Sequence, residues 1–260
     1  MLERLGVLVL SLLAWVGDVA LFGARALYEA VLPPYEFKET WRHVFEIGWR
    51  SLPLIALSGF AIGVVLSMHT RASLQRFGAE AMIPAGLAIA LIRETGPLTA
   101  GLLVAGRVGA GIGAELGAMK VTEQIDALEA VAVDSFKFLA VTRILACIIA
   151  MPLLTALIDF CGILGGYVAE TTISGMSAQL YFHRAFSIVE FSDFIPATFK
   201  TAVFGFIIGT VASYLGFNTT QGTEGVGRTS TSSVVFSSIS IILVNVVLVK
   251  LIFFVFPVKG

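Results

Sequence analysis

RETGPLTAGLLVAGRVGAGIGAELGAMKVTEQIDAL, residues 93–128, joins a long apolar run to charged side chains at its start and an acidic segment at its end. A helix needs about 20 apolar residues to cross the hydrocarbon core of a bilayer. The apolar sequence around this stretch, residues 81–119, is long enough for a tilted helix. Pro97 lacks the N–H that would bond the carbonyl of Arg93, so we expect a kink there. The stretch predicts a membrane-spanning helix with an irregular, charged segment inside it.

The composition of the whole chain is that of a membrane protein. Of 260 residues, 57% are hydrophobic and 13% are charged, whereas soluble domains carry about 25% charged residues. The net charge of -1 supplies no basic field for nucleic acid. Cys147 and Cys161 are too few for a disulfide framework or a zinc site. No P-loop, HExxH or GxSxG string occurs, so we expect no catalytic residue, metal ligand or cofactor in this chain.

Four further stretches are apolar enough to cross a bilayer, which makes five predicted spans in all. They are residues 51–70, 144–169, 201–223 and 229–249. Asp159 is the one charged residue in the stretch 144–169, and the pattern around it assigns it no role. The fold class predicted from the sequence is therefore an all-α integral membrane protein.

The first 32 residues predict a helix of another kind. The polar side chains fall within one sector of a helical wheel, which favours a helix lying in the membrane interface; they are Glu3, Arg4, Asp18, Arg25 and Glu29. A cleaved signal peptide or a true span is the alternative. Pro33 and Pro34 are expected to end this helix. Residues 1–49 are thus predicted to be membrane-associated helices, and residues 50–260 a five-helix transmembrane domain.

The basic residues favour one orientation in the membrane. With the N-terminus inside, nine basic residues outside the spans lie on the cytoplasmic side and four lie on the other side, namely Arg71, Arg76, Arg184 and Lys259. This distribution predicts a cytoplasmic N-terminus, an external C-terminus and a cytoplasmic connection between the second and third spans.

Glycines recur at four-residue spacing, which allows helices to approach closely in lipid. On an ideal helix the glycines of the second span share one stripe; they are Gly106, Gly109, Gly113 and Gly117. The stripe predicts helix packing within the bundle. Close approach of a second copy or of a moving helix is the alternative.

Arg93 and Glu94 lie inside the predicted second span, where ionisable residues are costly and often functional. A guanidinium can bind a phosphate through two hydrogen bonds, and a carboxylate can accept from an amine. An ion pair that only fixes helix packing is the alternative. Arg107 and Lys200 are interpreted as anchors whose long side chains reach the membrane surface.

The connection after the second span, residues 121–134, reads VTEQIDALEAVAVD. Acidic residues at threefold spacing beside Ile125 and Leu128 predict a short amphipathic helix with Thr122 as its N-cap. The pattern leaves open whether this helix is only solvated or is a docking element for another protein.

Residues 93–128 strongly resemble the signature of MlaE-type permeases, the membrane subunits of ABC transporters that move phospholipids between the two membranes of Gram-negative bacteria. Residues 224–235, EGVGRTSTSSVV, are similar to the cytoplasmic connection before the last span in that family. The resemblance implies a homodimeric permease in the inner membrane, with a lipid cavity between the two copies and a role in outer-membrane lipid asymmetry.

The resemblance also implies partners and site residues. A cytoplasmic ATPase that binds ATP and Mg²⁺ is expected to hold the coupling helix through Glu123, Gln124, Asp126, Ala127 and Leu128. A periplasmic MCE-domain ring and a small STAS-domain protein are further expected partners. Phospholipid is expected to contact Arg93, Glu94, Leu66, Leu74 and Phe77. Two alternatives from other classes are a stand-alone channel or secondary transporter with an Arg93–Glu94 relay, and a membrane enzyme acting on lipids.

Overall fold

The computed structural model describes residues 2–220 and 222–255, and all regular structure in these residues is helical. The predicted all-α class is therefore confirmed. In chain order the α-helices are α1 Leu2–Val31, α2 Phe37–Leu74, α3 Ile83–Ala90, α4 Gly96–Val104, α5 Ala110–Val121, α6 Gln124–Ala130, α7 Thr142–Ser174, α8 Ala178–Phe186, α9 Phe191–Phe217 and α10 Gly222–Val255.

Five helical stretches within the described residues are long and apolar enough to cross a membrane. We call them the first to fifth spans, and they run Phe37–Phe77, Glu80–Val121, Phe136–Ser174, Phe191–Phe217 and Gly222–Ile252. Each contains most or all of one apolar stretch predicted from the sequence. The fourth prediction ran on to residue 223, whereas the helix ends at Phe217. The residues that follow are polar but uncharged, so the absence of charged residues in the sequence did not mark the end of this helix.

The N-terminal helix α1 ends at Val31, just before the two prolines that were expected to end it. The next helix, α2, runs without a break through residues 49 and 50, so the predicted boundary between the N-terminal helices and the transmembrane domain lies inside one helix. The side chains of Glu3 and Arg4, and the C-terminal Lys259, lie outside the described residues.

The second span is not a continuous α-helix. π-Helical turns at Leu91–Thr95 and Ala105–Gly109 separate α3, α4 and α5. Pro97 lies in the first turn of α4, where it cannot donate to the carbonyl of Arg93. The irregular backbone predicted at this position is therefore confirmed, and wider π-turns are a common feature of functional segments.

The helix in the connection after the second span, α6 at Gln124–Ala130, is shorter than the predicted residues 121–134, and the assignment of Thr122 as a helix N-cap is wrong. Helix α5 continues to Val121, and the Thr122 hydroxyl donates to the carbonyl of Ala118 at 2.8 Å. Glu123, with a φ of 59°, then reverses the chain before α6 begins at Gln124. Thr122 thus closes the preceding helix and does not open the next one.

The connection between the third and fourth spans contains a helix that the sequence did not predict. Helix α8 covers Ala178–Phe186, and the Ser177 hydroxyl accepts a hydrogen bond from the Leu180 N–H at 3.4 Å. Tyr181 and Ala185 are fully buried. Their buried side chains fix α8 against the core of its own unit.

The described chain divides into two compact units, which interleave in sequence. One comprises residues up to Val44, Ala105–Cys147 and Phe206–Ser237. Its aromatic core brings α1 against the start of the third span and the end of the fourth, through ring contacts among Phe22, Phe136, Tyr214 and Phe217.

The other unit comprises Phe45–Val104, Ile148–Gly205 and the residues from Ser238 onward. Its apolar core lies under α8 and contains Leu87, Ala88, Leu91, Ile163, Tyr181 and Ala185. Glycines let the first and third spans touch here, because a methyl group added at Gly63 would overlap the carbonyl of Gly162. This unit holds Arg93, Glu94, Asp159 and Lys200.

Candidate functional site

A network of charged side chains surrounds the π-helical turn of the second span. Lys200 Nζ donates to Glu94 Oε1 at 2.9 Å and to the carbonyl oxygen of Arg93 at 2.7 Å. Asn245 Nδ2 donates to Glu94 Oε2 at 3.2 Å. The second span is therefore joined to the fourth and fifth spans through the two oxygens of one carboxylate.

Arg93 belongs to a second ion pair in the same network. Its Nε donates to Asp193 Oδ1 at 2.8 Å, and its Nη2 donates to the same oxygen. The other oxygen of Asp193 accepts the backbone N–H of Glu190 at 3.1 Å. Asp193 lies in the first turn of α9, where a carboxylate is also stabilised by the helix dipole.

The two ion pairs share one pattern of exposure. The side chains of Lys200 and Asp193 are 1% and 7% exposed, whereas those of their partners Glu94 and Arg93 are 45% and 38% exposed. Each pair thus fixes a half-exposed charge with an enclosed one. The arrangement presents a cation and an anion side by side on the second span, held in place from behind.

One sequence interpretation needs correction here. Lys200 is not an anchor that reaches the membrane surface, because its side chain is enclosed and its ammonium satisfies the carbonyl that Pro97 leaves free. Arg93 and Glu94 are each paired with a residue of the fourth span, so the lipid-binding prediction and the packing alternative both remain. One sequence feature could have indicated that Lys200 is part of a charged network: it lies inside a helix that also carries the acid Asp193.

Asp159 of the third span lies beside this network. It is 5% exposed, and none of the described residues donates a hydrogen bond to its Oδ1. That oxygen packs against Gly96, where an added methyl group would overlap it. Lys200 is near enough for an electrostatic interaction with Asp159. Asp159 therefore joins Arg93, Glu94 and Lys200 around one irregular turn.

The apolar residues expected to contact lipid lie on the first span and just after it. Leu66 is half-buried against the apolar core that includes Leu91, the first residue of the π-helical turn. Leu74 is the last residue of α2, and Phe77 follows in a short 3₁₀ turn with 83% of its surface exposed. Leu66 is thus linked through Leu91 to the charged turn, while Phe77 presents a free aromatic face.

A second charged cluster, which the sequence did not reveal, lies near the C-terminal end of the first span. Glu170 is fully buried and accepts from Ser67 Oγ at 2.8 Å, and Arg71 donates to both of its oxygens. Arg71 also pairs with Glu80 at 3.5 Å. Burial, together with the charge of Glu170, raises the pKa of the Tyr181 phenol, whose O–H donates to the carbonyl of Ile163 at 3.1 Å. The cluster fixes the first and third spans together.

The glycine stripe of the second span has two kinds of surroundings. A methyl group at Gly113 would overlap Ser233, and one at Gly117 would lie 2.8 Å from Thr219 Oγ1. Gly109 has ordinary contacts, and an added methyl group at Gly106 would meet no atom within 4 Å. The stripe therefore packs against residues of this chain at Gly113 and Gly117 and is open at Gly106.

The predicted coupling segment is largely exposed. Glu123, Gln124, Asp126 and Ala127 are exposed and Leu128 is half-buried. Ile125 is 2% exposed and holds the short helix to its own unit. Lys120 Nζ lies 3.1 Å from Asp126 Oδ1, and Ser135 Oγ donates to Glu129 Oε1 at 2.6 Å. The segment is thus an accessible acidic helix, tied at both ends to the spans that it connects.

A buried arginine links the two helices that flank this segment. Arg143 Nη2 donates to Glu115 Oε1 at 2.7 Å, and Nη1 donates to the carbonyl of Leu139 at 2.9 Å. The Arg143 side chain is 5% exposed. The ion pair therefore joins α5 and α7, the two helices that flank α6 in the chain.

The N-terminal helix α1 is fixed to the start of the third span. Lys137 Nζ donates to the carbonyl of Leu32, just after α1 ends. The guanidinium of Arg25 lies 4.2 Å from the ring centre of Phe136, a cation–π contact, and also pairs with Glu29 at 2.7 Å. These contacts tie α1 to the segment that follows α6.

Comparison with known proteins gives a consistent result. The family model described as "Permease MlaE" matches residues 40–251. A probable ABC transporter permease protein of Rickettsia typhi is 40% identical over 238 residues, which is 92% of each chain. The intermembrane phospholipid transport system permease protein MlaE of Haemophilus influenzae is 32% identical over 208 residues, 80% of each chain. The chloroplastic protein TRIGALACTOSYLDIACYLGLYCEROL 1 of Arabidopsis thaliana is 29% identical over 90% of this chain and 67% of its own length.

Proposed function

The chain belongs to the MlaE permease family, and from this membership we propose that it is the membrane subunit of an ABC transporter that moves phospholipids between the inner and outer membranes of a Gram-negative bacterium. The Haemophilus relative, named for intermembrane phospholipid transport, supports this substrate. The observation that carries the proposal is the charged network of the second span. A half-exposed cation and anion held next to each other suit the phosphate and amine of a phospholipid headgroup.

The proposed lipid site combines the two charges with apolar residues. Arg93 and Glu94 contact the headgroup, and Leu66, Leu74 and Phe77 contact the acyl chains. Lys200, Asp193 and Asn245 hold the two charged side chains in position and do not touch lipid themselves. Because the charges are fixed before lipid arrives, little conformational entropy is lost on binding.

The energy for transport comes from a separate ATPase subunit, which binds ATP and Mg²⁺. Its groove takes the exposed face of α6, with Glu123, Gln124, Asp126, Ala127 and Leu128 at the contact. Closure of the ATPase dimer pushes on α6, and the Arg143–Glu115 pair carries this displacement to the second and third spans. The push narrows the lipid cavity and expels the phospholipid.

The remaining parts of the assembly follow from the family and from exposed surfaces. The functional unit is a homodimer. The exposure of the fifth span supports this, because only 11% of its most apolar stretch is buried within this chain, against 56% for the fourth span, which leaves a face for a second copy. The helix α1 lies in the membrane interface, with the N-terminus cytoplasmic and the C-terminus periplasmic. An MCE-domain ring covers the periplasmic side, and a STAS-domain protein binds the ATPase.

The first experiment tests the class of the protein. A tagged chain is purified from its native membrane in mild detergent, and the proteins that co-purify are identified. An ATPase and an MCE-domain protein are expected. Transport by the chain alone in liposomes, with no ATPase present, would contradict the proposal and favour a channel or secondary transporter.

The second experiment tests the coupling contact. Glu123→Lys and Asp126→Lys are expected to leave ATP hydrolysis running while lipid movement falls, because the reversed charge weakens docking in the groove. Glu46→Lys, at a partly exposed acid of α2 that pairs with Arg50 outside the coupling segment, is the control and is expected to transport normally. Wild-type transport by both coupling variants would exclude α6 as the docking element.

A further inference from the structure

Asp159 lies in the third span without the partners that a buried carboxylate requires. It is 5% exposed, and its Oδ1 receives no hydrogen bond from any residue that the structure describes. Buried ionised carboxylates are normally paired with a cation or accept several hydrogen bonds, because an unpaired charge in apolar surroundings is costly. Asp159 satisfies neither condition in the arrangement that the structure shows.

The nearby cations are already bound to other acids. Arg93 is paired with Asp193, and Lys200 is paired with Glu94. Lys200 interacts with Asp159 electrostatically, but its hydrogen bonds go to Glu94 and to the carbonyl of Arg93. Two cations therefore face three carboxylates, and the group carries one negative charge too many if all three are ionised.

The other elements packed around Asp159 bring no compensating cation. The first span contacts the third through glycines, and residues 51–67 of that span contain no ionisable side chain. The fifth span contributes the neutral Asn245 to Glu94. On its own helix the nearest titratable group is Cys161, which is half-buried. The charged groups that matter are thus those of the second and fourth spans.

The distribution of donors selects Asp159 as the acid that is neutral. Both oxygens of Glu94 accept hydrogen bonds, and both oxygens of Asp193 do so as well. Asp159 alone among the three has a buried oxygen with no donor. A proton on this carboxyl group removes the surplus charge and makes the network neutral.

We propose that Asp159 is a proton-binding site inside the membrane, which holds a proton while Lys200 is bound to Glu94 and releases it when Lys200 is freed. On release the O–H bond of the carboxylic acid breaks, the proton passes to water, and the Lys200 ammonium becomes the counter-ion of the new carboxylate. Proton binding at Asp159 and the Lys200–Glu94 contact therefore stabilise each other, as linkage requires. The inference does not depend on lipid binding.

The experiment reads the protonation of aspartate directly. The chain contains five aspartates: Asp18, Asp126, Asp134, Asp159 and Asp193. Their side-chain carboxyl carbons are labelled with ¹³C, and the purified protein is reconstituted in phospholipid vesicles for solid-state NMR at neutral pH. One aspartate is expected to give the signal of a protonated carboxyl group, and Asp159→Asn is expected to remove that signal.

Two further variants test the link to Lys200. Glu94→Gln removes the negative charge that Lys200 neutralises, so two cations then face two carboxylates, and the protonated signal is expected to disappear although Asp159 is still present. Lys200→Met removes the cation that competes with the proton for the Asp159 carboxylate, so the signal is expected to persist to higher pH than in the unmodified protein. These two variants keep the test decisive even if Asp159→Asn fails to fold.

Five ionised aspartates in the unmodified protein would overturn the proposal, whatever its transport activity. A protonated signal that survives in Glu94→Gln would overturn the link to Lys200. Loss of transport with the predicted NMR pattern intact would count only against the lipid function, since the protonation signal does not require any substrate.

Discussion

The Arg71–Glu170 cluster and the Lys200–Glu94 network belong to the same compact unit, yet their surroundings differ. In the first, both partners are enclosed: the side chain of Glu170 is 1% exposed and that of Arg71 is 12% exposed. Ser67 and Arg71 together supply donors to both oxygens of the acid. In the second, the acid is 45% exposed and a further carboxylate, Asp159, lies nearby without a donor.

The difference separates a structural ion pair from a candidate binding site. A charge that is enclosed and fully hydrogen-bonded has no capacity left for a ligand, so the Arg71–Glu170 pair is expected to contribute to stability alone. A charge that is held by an enclosed partner but is itself half-exposed can still bind a ligand. Glu94 is therefore expected to contribute to lipid binding. Four predictions test this contrast.

The largest effect is expected at the enclosed pair. Arg71→Met leaves Glu170 buried without its cation, and breaking such a pair costs about 3–5 kcal/mol. The free energy of unfolding is measured by denaturant titration of the purified chain in detergent. Arg76→Met, at an exposed arginine five residues further on, is the control and should change it by less than about 0.5 kcal/mol. Equal effects from both variants would show that the Arg71–Glu170 pair does not stabilise the fold.

A smaller loss of stability is expected where the spans held by that pair touch. Gly63→Ala places a methyl group against the carbonyl of Gly162, and overpacking of this kind costs about 1–3 kcal/mol. Gly86→Ala is the matched control, because an added methyl group there meets no atom within 4 Å. The same unfolding titration compares the two, and an unchanged Gly63→Ala would show that these helices are not in close contact.

Glu94→Gln is expected to change the unfolding free energy by only about 1 kcal/mol, because an amide still hydrogen-bonds to Lys200 and Asn245. The phospholipid that co-purifies with the chain should nevertheless fall several-fold, since the negative charge that meets the headgroup amine is gone. Lipid is quantified by mass spectrometry against Arg71→Met. If Glu94→Gln retains all its lipid, the Lys200–Glu94 pair is a packing contact only.

The smallest effect on stability is expected at Phe77. Its side chain is 83% exposed, so Phe77→Ala should change the unfolding free energy by less than about 0.5 kcal/mol. A modest decrease in co-purifying lipid is expected if the ring contacts an acyl chain. Phe254→Ala, at another exposed aromatic residue, is the control; an equal decrease there would indicate general loss of membrane lipid.

Much of the fold was predictable because its signals are local. Apolar stretches of sufficient length marked the spans, the two prolines marked the end of α1, and Pro97 marked the irregular backbone of the second span. Each of these features depends on hydrogen bonds between residues close in sequence. The family resemblance, carried mainly by the motif at residues 93–128, was enough to indicate the class of protein.

The partners of the charged residues were not predictable for the opposite reason. Asp193, Lys200 and Asn245 lie 100, 106 and 151 residues from the groups that they bind. A single sequence does not show which distant side chains meet, so Lys200 was misread as a surface anchor. The same limit hid the pairing of Arg71 with Glu170 on the third span.

The central claim is that phospholipid occupies the charged turn of the second span and not the enclosed cluster near Arg71. A phospholipid with a photoactivatable group in its headgroup is added to the purified assembly, irradiated, and its adducts are mapped by mass spectrometry. We predict adducts within Leu91–Thr95 that decrease when unlabelled lipid competes and when Glu94 is changed to Gln, and none at Glu170. Adducts that are absent from Leu91–Thr95, or present there but insensitive to both competition and Glu94→Gln, would contradict the account.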